Sequence, residues 1–166
     1  MRNRGFTLVE ILMVLMIIGL PVGLVTVLAQ PDQRGLLRIE AERLAQLLTL
    51  AATESRLTGK SIGWTADGPG YRFWRLRADT GWTEIRDGEL LRARTLPAGM
   101  SISSLRVENM RMQGPMRLQF SGFGPVNSFL VGLSLSAEHA AVAASPLGEV
   151  RVVPAEGTAN GRIEPR

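Results

Sequence analysis

The 166-residue chain contains no cysteine, which excludes disulfides and thiolate-held metals and leaves packing to stabilise the fold. Histidine, tyrosine and lysine each occur once, as His139, Tyr71 and Lys60. One histidine with no G-x-S-x-G elbow, H-E-x-x-H pair, phosphate-binding loop or dinucleotide fingerprint supplies no catalytic constellation. The expectation is a protein that is not an enzyme, with no catalytic residue, metal, cofactor or small-molecule substrate. His139 lies in Ala137-Glu138-His139-Ala140, which reads as a polar turn between two strands. Net charge is low too: 19 basic residues face 15 acidic ones, a formal charge of +4. That balance does not by itself imply nucleic-acid binding, and the near-exclusive use of arginine is as consistent with a GC-rich genome as with any ligand.

Polar residues are missing where the chain is most unusual. From Ile11 to Val25 fifteen residues carry no polar side chain, and the flanks out to Phe6 and Leu28 add only Thr7, Glu10 and Thr26. As a helix, residues 6 to 29 extend about 36 Å, against a bilayer hydrocarbon core of about 30 Å. One tilted span is expected, and Arg2 and Arg4 immediately before it keep the N-terminus cytoplasmic. Residues 30 to 166 are then delivered across the membrane.

Glu10 is the exception inside this segment, where a central charge costs about 2.5 to 3.5 kcal/mol on insertion scales. Near the first helical turn it meets the positive end of the helix dipole, which softens that cost. An intramembrane acid also calls for a partner cation.

Gly5-Phe6-Thr7-Leu8-Val9-Glu10 followed by the apolar run resembles the type III signal of type IV pilins and type II secretion pseudopilins. That pattern is a short basic leader ending in Gly, then Phe, with Glu five residues after the cut. The resemblance implies that a prepilin peptidase cleaves between Gly5 and Phe6 and methylates the Phe6 amine. It implies further that Phe6 and Glu10 carry assembly, Glu10 neutralising the N-terminal amine of a neighbouring subunit. A carboxylate and an ammonium in low dielectric are tolerable mainly as a pair, which agrees. Cleavage leaves 17 basic residues against 15 acidic, a formal charge of +2.

Two other readings of the stretch exist. Val27-Leu28-Ala29 has the form of a secretory cleavage site, and the run could equally be a plain anchor; Glu10 and the excess apolar length argue against the first. Pro21 removes a backbone hydrogen bond and is the expected kink, softened further by Gly19 and Gly23.

After Pro31-Asp32-Gln33 a second helical pattern runs from about Gly35 to Thr58. Leu37, Ala41, Leu44, Leu48, Ala51 and Ala52 recur at three- and four-residue spacing, with Arg38, Glu40, Glu42, Arg43 and Gln46 on the remaining faces. Gly59 is placed to cap its C-terminus.

From Ser61 the pattern becomes short β-leaning segments: 61 to 64, 71 to 77, 82 to 86, 100 to 107, 117 to 121, 129 to 136 and 149 to 153. Asp67-Gly68-Pro69-Gly70 and Asp79-Thr80-Gly81 supply turns. No repeat is evident. These residues predict an α+β fold in which a long helix backs a mostly antiparallel sheet.

The segment from Tyr71 through Phe73 and Trp82 to Leu90-Leu91-Arg92-Ala93-Arg94-Thr95-Leu96-Pro97-Ala98-Gly99-Met100 is similar to the middle of the GspH/FimT-type minor pseudopilins. Phe120-Ser121-Gly122-Phe123-Gly124-Pro125 and Gly148-Glu149-Val150-Arg151-Val152 are similar to that family's closing segments. The resemblance implies a pilin-like α+β fold, its long N-terminal helix transmembrane in the first half and packed in the second on a mostly antiparallel head. Scattered Glu156 and Glu164 do not form the acidic calcium loop usual in major pseudopilins, so a minor subunit is implied.

The implied organisation is a leader at 1–5, a transmembrane and assembly helix at 6–29, an amphipathic helix continuing the rod at 30–58, a β-rich periplasmic head at 59–153 and a tail at 154–166. The implied role is near the tip of a periplasmic type II secretion pseudopilus that supports export of folded proteins across the outer membrane, the protein sitting in a Gram-negative bacterial inner membrane by a single pass with the C-terminal domain periplasmic. Other major and minor pseudopilins and the prepilin peptidase are the implied partners. The alternative is a FimT-like minor pilin for DNA uptake, with Arg162 and Arg166 as its DNA contacts. Glu164 interrupts that basic tail, and no nucleic-acid partner is expected on the leading reading. The Arg-rich strand 71 to 77 reads as a solvated face rather than a nucleic-acid surface.

Overall fold

A computed structural model describes residues 7–28, 32–86, 90–112, 114–124 and 127–154, with side chains of the first segment described to Leu20. Two compact units are present, Met1–Asp32 and Gln33–Arg166.

The first unit is helix α1, Leu8–Leu28, 21 residues and about 31 Å long. Thr7 opens it: the Glu10 backbone N–H donates to the Thr7 carbonyl at 3.0 Å and to its Oγ1 at 3.3 Å, the geometry of a threonine N-cap. The backbone remains helical through Pro21. Among the described residues no helix is long and apolar enough to cross a membrane, the described side chains of α1 ending thirteen residues in.

The second unit begins with α2, Gln33–Thr58. Its apolar stripe is the expected one: Leu37, Ala41, Leu44, Leu48, Ala51 and Ala52 are buried, four of them with no exposed surface. Glu40 departs from expectation. It is buried rather than on the solvent face, and it pairs with Arg43 one turn on. Gly59 ends the helix with φ of +67°, the left-handed conformation a Cβ disfavours.

Two antiparallel five-stranded sheets follow, where the sequence suggested one. The first runs β3 (Gly81–Glu84), β2 (Gly70–Arg77), β1 (Ile62–Asp67), β7 (Met116–Phe120), with β4 (Arg94–Thr95) also on β2. The second runs β10 (Val150–Pro154), β9 (Glu138–Ala144), β8 (Phe129–Leu135), β5 (Met100–Val107), β6 (Met110–Arg111). α2 packs chiefly on β9 and β10, and also touches β8, β1 and β7. Its stripe thus serves both sheets, and one core of leucines with the aromatic group Trp64, Tyr71 and Phe73 joins them. Tyr71 lies 6.3 Å from Trp64 and 6.0 Å from Phe73, ring centre to ring centre.

The turn expected at Ala137 to Ala140 is corrected. Ser136 and Ala137 alone make it, Ser136 with φ of +55°, and Glu138, His139 and Ala140 are the first residues of β9. Glu-His-Ala-Ala-Val-Ala-Ala has a single β-branched residue and no clear alternation, so its strand state comes from pairing with β8 and β10 and from burial of Ala141, Val142 and Ala144. The strand expected at 82 to 86 ends at Glu84, with Ile85 turning into the core.

Candidate functional site

The residues singled out for function divide sharply by place. Gly5 and Phe6, the expected processing site, lie outside the described residues, as do Arg162 and Arg166. The break at Pro31 and the join between the two helices lie there as well. Pro21 is inside α1, where the helix continues past it.

Glu10 is described. It sits in the first turn of α1, its backbone held by Thr7 and its side chain exposed. Around it the helix shows apolar residues on every side: Leu8, Val9, Ile11, Leu12, Met13 and Val14 are all exposed, from 46% to 79%. A soluble surface helix has one apolar stripe, whereas one apolar all round is covered by lipid or by other helices. Glu10 adds a single negative charge to that surface, and no cation among the described residues pairs with it. Chemically the arrangement offers an exposed carboxylate, without a partner among the described residues, on an otherwise apolar helix surface.

No group of three or more acidic or histidine side chains is arranged to hold a metal among the described residues. His139 is exposed on β9 opposite Ser134, in a shallow groove with Ser104 and Arg111, and has no acid–base partner there. One arginine of the Arg-rich strand β2 is committed to the protein itself. Arg75 pairs with Glu54 of α2 at 2.7 Å, its side chain only 20% exposed, and Arg72 lies 4.0 Å from Glu84. The expected solvated face is therefore corrected for Arg75, which ties β2 to the helix.

Sequence reasoning missed the joint between α2 and the loop after β7. Buried Ser55 donates to the Phe120 carbonyl at 2.9 Å, and a Cβ built on Gly122 would lie 2.6 Å from the Gly59 Cα. The turn-rich Phe120 to Pro125 segment was noticed as a family feature, but nothing in its spacing announces contact with a helix end sixty residues earlier.

An acid in the first turn of an apolar N-terminal helix, together with a separate helix laid on antiparallel strands, defines a pilin-like protein. Comparison with known proteins narrows this. The family described as type II transport protein GspH matches residues 40–148, and the prokaryotic N-terminal methylation motif matches residues 1–25. The chain belongs to the GspH family.

It is 31% identical over 102 residues to type II secretion system protein H of Vibrio cholerae, an alignment taking in 60% of this chain and spanning about half (53%) of that relative's length. Among solved structures it is similar to the minor pseudopilin EpsH from the type 2 secretion system of Vibrio cholerae. One such structure gives a TM-score of 0.57 at 25% identity, covering 71% of this chain and 96% of that one. A second crystal structure gives 0.62 at 19% identity, covering 72% and 97%.

Proposed function

We propose that the protein is a minor pseudopilin that assembles near the tip of a periplasmic type II secretion pseudopilus and supports export of folded proteins across the outer membrane. The carrying observation is the pairing, in one chain, of the N-terminal methylation motif with a GspH head. It acts as a structural subunit, not a catalyst.

The N-terminal segment works as follows. The precursor is held in the inner membrane by residues 6–29, the described apolar surface of α1 being continued in sequence by Val22, Leu24, Val25, Val27 and Leu28. A prepilin peptidase removes residues 1–5 and N-methylates Phe6. The Phe6 ammonium of one subunit then meets the Glu10 carboxylate of another, and the match offsets the cost of keeping either charge in hydrocarbon. Pro21 supplies a soft point where the helix bends to fit its neighbours. Residues 30–58 follow and carry the head at 59–153 in the periplasm, with 154–166 as a tail. Its partners are other major and minor pseudopilins.

The test is the fate of secreted enzymes in a strain lacking the gene, with periplasm and medium assayed separately and DNA uptake scored in the same cultures. Enzymes stranded in the periplasm with normal uptake are expected. Normal secretion with lost uptake would overturn the proposal in favour of a DNA-uptake pilin. Engagement of Arg75 by Glu54 takes that arginine out of any nucleic-acid surface on β2.

A further inference from the structure

Two of the three tryptophans lie together on the outer face of the first sheet, the face away from Trp64, Tyr71 and Phe73. Trp64 and Phe73 oppose each other across β1 and β2, as do Gly63 and Trp74; alternation puts the first pair inside and the second outside. Both outer indoles are held in place. Trp74 Nε1 donates to Thr65 Oγ1 at 2.8 Å, and the Trp82 ring lies over Gly63, where a Cβ would stand 3.1 Å from it. Trp82 nevertheless remains 44% exposed. The two rings, Gly63 and Thr65 form the floor of an open groove of about 440 Å³, walled on the β7 side by Arg117 and Gln119.

The wall is chemically unspent. Arg117 and Gln119 are exposed, and their side chains make no hydrogen bond or ion pair among the described residues. Arg72 on the same face lies 4.0 Å from Glu84, which leaves Arg117 as the unmatched positive charge beside the groove. Fixed aromatic plates beside a few unspent polar groups have the composition of a small-ligand site rather than of a bare sheet face.

We infer that this groove binds an acidic oligosaccharide. A pyranose ring has an apolar C–H face that lies on an indole and an equatorial fringe of hydroxyls that needs donors and acceptors. Trp74 and Trp82 offer the first, Gln119 and Thr65 the second, and Arg117 matches a sugar carboxylate with its two-pronged guanidinium. An apolar protein surface set down here would desolvate Arg117 and Gln119 without pairing them. A nucleic-acid strand carries a charge at every nucleotide, while the lining of the groove offers one cation, Arg117. A glycan with occasional carboxylates is the ligand whose charge density fits.

The experiment uses the full chain in a detergent without a sugar headgroup, with tryptophan emission titrated by trigalacturonate and, separately, by maltotriose as its neutral counterpart. Saturable quenching is expected with the acidic trisaccharide binding more tightly. Trp82→Ala should weaken both by about tenfold or more, in line with loss of one stacking aromatic. Arg117→Gln, an exposed change that leaves the melting temperature unaltered, should abolish the preference for the acid while keeping neutral binding. Failure of either sugar to saturate, or equal binding by the Trp82→Ala protein, overturns the inference. So does a thymidylate dodecamer that binds through Trp82 and Arg117 where the sugars do not, which would make the groove a nucleic-acid surface.

Discussion

Gly122 is stacked on Gly59, so close that a Cβ on the former would lie 2.6 Å from the Cα and 2.7 Å from the carbonyl carbon of the latter. The contact is backbone against backbone, at the point where α2 ends and the chain leaves β7. Neither partner is the yielding end of a side chain, so Gly122→Ala must move the helix terminus or the loop. The expected cost is about 1 to 3 kcal/mol, seen as a lower urea midpoint with an unchanged slope. An unaltered midpoint would mean that the joint is looser than this geometry.

Ser55 secures the same joint from within the helix. Its hydroxyl is fully buried and donates to the Phe120 carbonyl, so Ser55→Ala leaves a buried acceptor without that donor. A loss of about 1 to 3 kcal/mol is expected. Combined with Gly122→Ala, the loss should fall short of the sum, because both changes release the same contact. Thermal denaturation of the two single variants and the double variant measures this.

Tyr71 makes the head sensitive to alkali. Burial pushes its phenol from the ordinary 10.0 up to about 12, Glu40 adding to the rise while Arg94 and Arg43 oppose it. The raised folded value means that the contribution is complete below pH 10 and is lost between pH 10 and about 12, as the unfolded chain gives up a proton that the folded one keeps. The loss is on the order of 2 kcal/mol. Tyr71 is the only tyrosine, so tyrosinate absorbance reports it alone: the folded protein should ionise near 12 and the denatured protein near 10.

Tyr71→Phe separates that effect from packing. The hydroxyl is buried with no hydrogen-bond partner, so its removal leaves neutral stability within about 0.5 kcal/mol or slightly raises it, and abolishes the alkaline loss. A large destabilisation at neutral pH would show that the hydroxyl is bonded in solution.

Glu10 is the prediction for assembly. If its carboxylate meets a neighbour's N-terminal amine, Glu10→Ala should leave membrane insertion intact, or improve it, and reduce secretion to the level of the deletion strain. Fractionation and assay of the medium decide this, and undiminished secretion would remove the charge pair from the mechanism. Intact mass should show loss of residues 1–5 and gain of one methyl group.

Much of this protein is written in local pattern. The apolar run, the acid at position 10 and the three- and four-residue spacing of Leu37, Ala41, Leu44 and Leu48 are periodicities within one segment, and burial of α2 follows them. Strands β2, β5 and β8 declare themselves by alternation and β-branched or aromatic residues. Glu40 was misplaced because its burial depends on a core reaching beyond the apolar stripe, with Arg43 as counter-charge. Strand β9 was missed because alanines carry no strand signal and only neighbouring strands make them one.

By itself the sequence determined the class of protein: an N-terminal signal with its acid, an apolar helix, an amphipathic helix and β-rich segments in that order. Those features depend on residues within a few positions of one another, where local sterics and hydrophobic period decide. Only the tertiary structure decided that the strands divide into two sheets, that Ser55 and Gly59 lock onto Phe120 and Gly122, and that Trp74 and Trp82 share an outer face with Arg117. Those pairings join residues tens of positions apart, and strand register, which no single segment encodes, sets them.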